Sequence, residues 1–193
     1  MTARWVVDVV TPERDLNVSW EPISLLLKND PPKDYEHYGR YEHTHKLLRV
    51  FEAVKAADGM DAAFNFYWES GRNIHHDQIH DVNDPAISAE TLLSNVGLDV
   101  SHAAAFDDES WDAVIREKMD KGLALVGDDV GTPIITFPSD HGKVGIFGPV
   151  ISRAPQGEEG LALWDAMVTM ATMDGFWELK RTRTVRPDFG ERP

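Results

Sequence analysis

A Gly-Asp-Asp-Val-Gly-Thr-Pro break between a helix-period segment and a β-rich run constrains this chain most. Residues 126–137 read Val-Gly-Asp-Asp-Val-Gly-Thr-Pro-Ile-Ile-Thr-Phe, and Lys143-Val-Gly-Ile-Phe147 follows a short polar turn. Upstream, Glu109 to Leu125 carries Trp111, Val114, Ile115 and Met119 on one stripe, the mark of an amphipathic helix, with Asp107 or Asp108 as its cap. Asp128 to Gly131 interrupts that periodicity, and the residue before Pro133 is pushed toward extended backbone. Two β-prone runs joined by Ser139-Asp-His-Gly142 then read as a hairpin. Helix, Thr-Pro, strand, turn and strand predicts a mixed α/β unit at this end.

The rest of the chain is mostly helical in pattern. Met1 to Val10 is open between two readings. Its valines favour a strand, whereas Trp5, Val6, Val9 and Val10 make one helical face, with Arg4 and Asp8 at i, i+4. Leu16 to Ser24 alternates loosely and predicts a strand, which Leu25-Leu-Leu27 carries into a loop ending at Pro31-Pro32. From Asp34 to Phe106 only helix signals occur. They predict helices over Lys46–Ala57 (stopped by Gly59), over Asp61–Ser70 (closed by Gly71), and from Asp84-Pro85 to just before Gly97, with a further turn at Ser101–Phe106. A last helix spans Glu158–Met173, burying Leu161, Trp164, Val168 and Ala171, before a basic tail. One lone strand and one hairpin make a poor sheet, and a strand preceding Met1 would repair it.

Composition excludes several functions. The 193 residues carry a formal charge of −14, which repels nucleic-acid backbones and anionic lipid, so neither nucleic acid nor membrane is an expected partner. No apolar run reaches the length of a bilayer span, and the N-terminus has no secretory pattern, so a cytoplasmic protein is expected. There is no cysteine, hence no disulfide, thiolate nucleophile or cysteine-ligated metal in the chain itself.

Several motifs together carry a resemblance. Val126 to Pro133, Phe147-Gly-Pro-Val150, Leu163-Trp-Asp-Ala166 and Phe176-Trp-Glu-Leu-Lys-Arg-Thr-Arg-Thr184 resemble the mycothiol-dependent nitroreductase family, within the DsbA-like thioredoxin superfamily and related to kappa-class glutathione transferases. Gly71 to His75 resembles the family's helical insertion, and Ser24-Leu25 the end of its second strand. The resemblance implies an α/β, thioredoxin-like (DsbA/kappa-class type) fold with an inserted all-helical lid. It divides the chain into residues 1–30 (thioredoxin-like, first part), 31–107 (helical insertion) and 108–193 (thioredoxin-like, second part and tail). It also implies a Cys-x-x-Cys motif and a first strand that this chain lacks, as though it were a fragment or Met1 a misassigned start. By the same resemblance, mycothiol or a similar low-molecular-weight thiol would be the co-substrate of a small aromatic or electrophilic substrate. No covalently bound cofactor is implied, and a homodimer is compatible.

Thr132-Pro133 heads the candidate site. The resemblance implies a cis bond there and, with Val130 and Gly131, a turn that offers the Thr132 backbone N–H and C=O to a thiol. The plainer reading is a strand-opening proline. His75 is the second family-matching candidate. His76 and His80 at i, i+4, with Asp77 or Asp81 beside them, have zinc-like spacing on a helix. A polar loop is the alternative, and no metal is expected. Phe64, Tyr67 and Trp68, with Tyr35, Tyr38 and Tyr41, either line an apolar pocket or pack the insertion. His43-Thr-His45 reads as a solvated face, and Lys180, Arg181, Arg183 and Arg186 as a solvated tail. Ser139-Asp-His141 is a turn, not a triad, since adjacency in sequence is no triad geometry. Three function classes follow: a thiol-dependent oxidoreductase that lacks its own redox cysteines and is inactive as written, a cysteine-free binding protein, and a kappa-class-like transferase or isomerase.

Overall fold

In the computed structural model, which describes residues 1–139, 142–190 and 192, the N-terminal segment is helical. An α-turn, Thr2–Trp5 (α1), runs on as π-helix over Val6–Val10. Packing overrides the β-propensity of the valines, because helical spacing puts Trp5, Val6, Val9 and Val10 on one face where all four are buried. The chain forms two compact units, 1–18 with 121–190, and 19–120 with Arg192. Among the described residues it is mixed helical with one two-stranded sheet. Among the described residues no helix is long and apolar enough to cross a membrane.

In the first unit, the buried face of 5–10 packs on Trp164 and Met167 of the last helix, Gly157–Thr172 (α7 in chain order). Gly160 makes that approach close. Its carbonyl accepts a hydrogen bond from the Trp5 indole at 3.1 Å. A Cβ there would lie 2.7 Å from the Pro155 carbonyl oxygen and 2.8 Å from Val9 Cγ1. The hairpin is Ile134–Ser139 (β1) and Gly142–Phe147 (β2), antiparallel, with Ile134 opposite Phe147 and Phe137 opposite Val144. Alternation sends Ile135, Phe137 and Ile146 to this core, and the Phe137 ring meets Trp164 edge-on at 5.7 Å. Asp140 and His141, the middle of the expected turn, lie outside the described residues.

The strand expected over Leu16–Ser24 is not formed; the hairpin is the only sheet among the described residues. The alternation there has another cause. Leu16 and Val18 serve the first unit's core, while Trp20 packs on the second's, so no shared sheet face is needed. Nor does Leu25-Leu-Leu27 extend a strand. Leu25–Asn29 is a helix (α2), and Ser24 caps it by accepting the Leu27 N–H at 3.1 Å.

The second unit is helical: Tyr38–Asp58 (α3), Met60–Gly71 (α4), Ala89–Asn95 (α5) and the start of Trp111–Val126 (α6), with 3-10 turns at Pro85–Ile87 and Val100–Asp107. Gly59 stops α3 at φ +90°, a region glycine enters freely. The α-helix ends at Gly71, but the helical path does not. The Gly71 backbone stays helical (φ −63°), and π-helix continues over Arg72–His76, held by Asn73 Nδ2 donating to the carbonyl and carboxylate oxygens of Glu69, each at 2.9 Å. The single helix expected after Asp84 is split, because Asp84 caps the 3-10 turn and Ser88 caps α5 separately. Leu47, Val50, Phe51 and Val54 of α3 meet Ala63 and Phe66 of α4 and Leu92 and Leu93 of α5 to form the core.

His43 and His45 do not lie on a solvated face. His43 Nε2 bonds the Ile87 carbonyl at 3.1 Å, and His45 is only 2% exposed. Its Nδ1 meets Ser24 Oγ at 3.0 Å and its Nε2 meets Asp112 Oδ1 at 3.0 Å. Asp112 also takes two bonds from Arg49, at 2.6 and 2.9 Å. A neutral imidazole with its proton on Nε2 satisfies every member: Ser24 donates to Nδ1, and Nε2–H donates to Asp112. Burial, only partly opposed by Asp112, holds the His45 imidazole below its ordinary 6.5. For Asp112, burial pushes upward, but the Arg49 and His45 contacts outweigh it and hold the carboxyl below its usual range.

Two outcomes are expected. Gly160→Ala forces its Cβ into Pro155 and Val9 and should cost about 1–3 kcal/mol, read from urea unfolding followed by tryptophan fluorescence; an unchanged midpoint would contradict the packing described. The stability His45 contributes is complete above pH 6.5, where the unfolded histidine is neutral, and is lost as pH falls from there through the lower folded value. His43, also lowered by burial, has the same sign, and Asp112 adds to the loss at more acid pH. Urea midpoints should therefore fall between pH 8 and 5, and fall less in His45→Gln; equal falls would rule out the buried neutral imidazole.

Candidate functional site

The loop after α6 gathers the strongest candidates. Gly127 closes the helix, its N–H donating to the Leu123 carbonyl at 2.8 Å, and the polar Asp128 and Asp129 that follow are exposed. Val130, Gly131, Thr132 and Pro133 then form one short turn into β1. The Thr132–Pro133 peptide is cis, as is Gly148–Pro149 beyond β2. Hydrogen bonds join these turns in series to α1: the Gly148 N–H donates to the Pro133 carbonyl at 2.8 Å, and Thr2 Oγ1 donates to the Pro149 carbonyl at 2.7 Å. The Phe147 ring forms a wall, its Cε2 3.8 Å from where a Gly131 side chain would begin.

Thr132 is exposed, and its backbone N–H and C=O find no hydrogen-bond partner among the described residues. An open donor and acceptor on one residue can pair with an amide-bearing ligand as a neighbouring strand would. Thr2, which ties α1 to this region, lies 147 residues from Pro149 in sequence. No local pattern announces such a contact.

The other candidates do not belong to that turn. His75 is exposed on the π-helical turn of the second unit, whereas Val130 to Pro133 belong to the first. The His76 and His80 pair does not share a helix face, because the helix ends at His76 and Gln78 takes φ +56°. Among the described residues no group of three or more histidine, aspartate or glutamate side chains is placed to hold a metal. The six aromatic residues expected together form separate groups. Phe64 stacks on Trp20 at 5.1 Å and lies 5.3 Å from Trp68, while Tyr35 pairs with Tyr41 at 5.9 Å. Trp20 stacks on both the Phe64 and the Tyr67 rings. Lys180, Arg181, Arg183 and Arg186 are exposed.

Ser24, His45 and Asp112 line up as serine, histidine and acid, an arrangement no spacing in the sequence shows. It is not a nucleophile set. Ser24 is 1% exposed, and its oxygen is engaged by the Leu27 N–H, so the hydroxyl caps a helix with no route to a substrate.

Comparison with known proteins covers most of the chain. The model of the Rv2466c-like family, described as mycothiol-dependent nitroreductase Rv2466c, matches residues 1–181 of the 193. The match takes in α1, the Val130–Pro133 turn, the hairpin and α7 alike, and the chain belongs to the mycothiol-dependent nitroreductase Rv2466c family.

Proposed function

We propose that the chain binds a low-molecular-weight thiol of the mycothiol kind at the Val130–Pro133 turn and takes part in thiol-dependent reduction of a small electrophilic substrate such as a nitroarene. The observation that carries this reading is the open backbone N–H and C=O of exposed Thr132, joined through Pro133, Gly148 and Pro149 to the first turn of α1. Membership of a family named for mycothiol and nitro reduction supports the chemistry. In one two-electron step, two thiols lose two protons and two electrons to become one disulfide. The nitro group takes them up, becomes a nitroso group and releases one oxygen as water. The 193 residues contain no cysteine and so have no thiol–disulfide activity of their own; both sulfurs in this scheme come from outside these residues. The chain's part is to orient the thiol's amide against Thr132 and its body against Phe147.

In the same reading the fold is thioredoxin-like with an inserted helical part. Support comes from the chain order of the units. The first is interrupted by 19–120, as an inserted domain would require, with wider bounds than 31–107. The reading does not depend on His75.

Titrating the isotope-labelled chain with mycothiol, followed by amide NMR, should shift the Val130, Gly131 and Thr132 signals first and to saturation. If those three amides stay unmoved at millimolar thiol, the reading fails.

A further inference from the structure

The second unit holds a cleft of about 560 Å³ bordered by α2, the turn after it, the start of α3 and α6. That size lies within the roughly 300–1,000 Å³ usual for small-molecule sites. Leu26, Leu27 and Pro32 supply an apolar side, and Tyr38 brings a ring with a hydroxyl donor. Lys33 and Arg116 line the same cleft from different elements, with Asp30 the one carboxylate on its wall. Neither Lys33 nor Arg116 has a carboxylate within ion-pair distance or a side-chain hydrogen bond among the described residues. Most other cations of this unit are paired, Lys46 with Asp107, Arg49 with Asp112, Lys55 with Glu21 and Lys118 with Glu52; Arg40, which does not line the cleft, has no such pair among the described residues.

That contrast is what points to a ligand. With 33 acidic against 19 basic side chains, carboxylates are in excess, yet two cations on one concave surface are left without one. The acidic remainder of the surface repels an anion, while this cleft, with two cations against one carboxylate, attracts it. An arginine presents parallel N–H donors that match a carboxylate, and a lysine adds a mobile point charge. The leucines and proline suit an apolar body rather than a hydrated ion. Asp30 weighs against ligands of higher charge.

We propose that this cleft binds a small organic monoanion, a carboxylate carried on an apolar or aromatic body, separately from the Val130–Pro133 turn and independently of any thiol chemistry there. The carboxylate sits between Arg116 and Lys33, and the body lies against Leu26, Leu27 and Pro32.

The test uses the full chain with 1-naphthoate and its neutral counterpart 1-naphthamide, by calorimetry and amide NMR. Naphthoate should bind saturably and shift signals at Leu26, Leu27, Lys33 and Arg116, with naphthamide weaker by about tenfold or more. The double variant Lys33→Gln, Arg116→Gln should lose about tenfold in naphthoate affinity while keeping the wild-type spectrum elsewhere, and Asp30→Asn should bind more tightly. Equal affinity for acid and amide, unchanged affinity in the double variant, shifts centred elsewhere, or no binding of either probe would each overturn the proposal. Mycothiol binding at Thr132 would be untouched by any of these results.

Discussion

The hydrogen bond from the Trp5 indole to the Gly160 carbonyl, made possible by the missing side chain at 160, is the contact on which the first unit depends. It brings a helix near the chain's start against one near its end. Around it Val9, Val10 and Trp164 exclude water, and the inward residues of the hairpin close the core. Once α1 is held, Thr2 reaches Pro149, and the turn at Thr132 follows through Gly148 and Pro133. A candidate ligand site made of backbone groups needs such a frame, because a main-chain donor and acceptor can be aimed only by fixing the backbone on both sides.

The helical unit is organised by charge as much as by its apolar core. Asp112 gathers Arg49 and His45, His45 gathers Ser24, and Lys118 reaches the buried Glu52. Buried pairs of this kind add little net stability over well-packed apolar residues, but removing one partner leaves a charge stranded. They tie α6 and the cap of α2 to α3. Lys33 and Arg116 have no carboxylate paired with them among the described residues, and this gives their cleft its distinct character.

In the proposed function, the sulfur that these 193 residues handle is that of the small molecule, since they carry no cysteine themselves. In that proposed role the chain's contribution is orientation, a task suited to a turn with an open amide and an aromatic wall.

Much was legible in the residues themselves. The stripe of α6, the Asp128–Gly131 break, the Thr-Pro step and the hairpin form close to where the residues put them; α7 also forms, but the residues it buries are Gly160, Trp164 and Met167 rather than the expected Leu161, Trp164, Val168 and Ala171, because Trp5 and Val9 pack on it at Gly160. The family too could be read from short motifs. What the residues alone left open, or pointed the wrong way, depended on partners distant in sequence. Residues 2–10 become helix because Gly160 admits Trp5; the alternation at 16–20 is split between two cores; His45 turns inward because Asp112, 67 residues on, is there to meet it. Local sequence determines backbone preference over a few residues, and so it determined the elements and the turn that carries Thr132. Whether a valine run is helix or strand, and whether a histidine is a surface group or a buried link, is decided by what packs against it, which only the tertiary structure supplies.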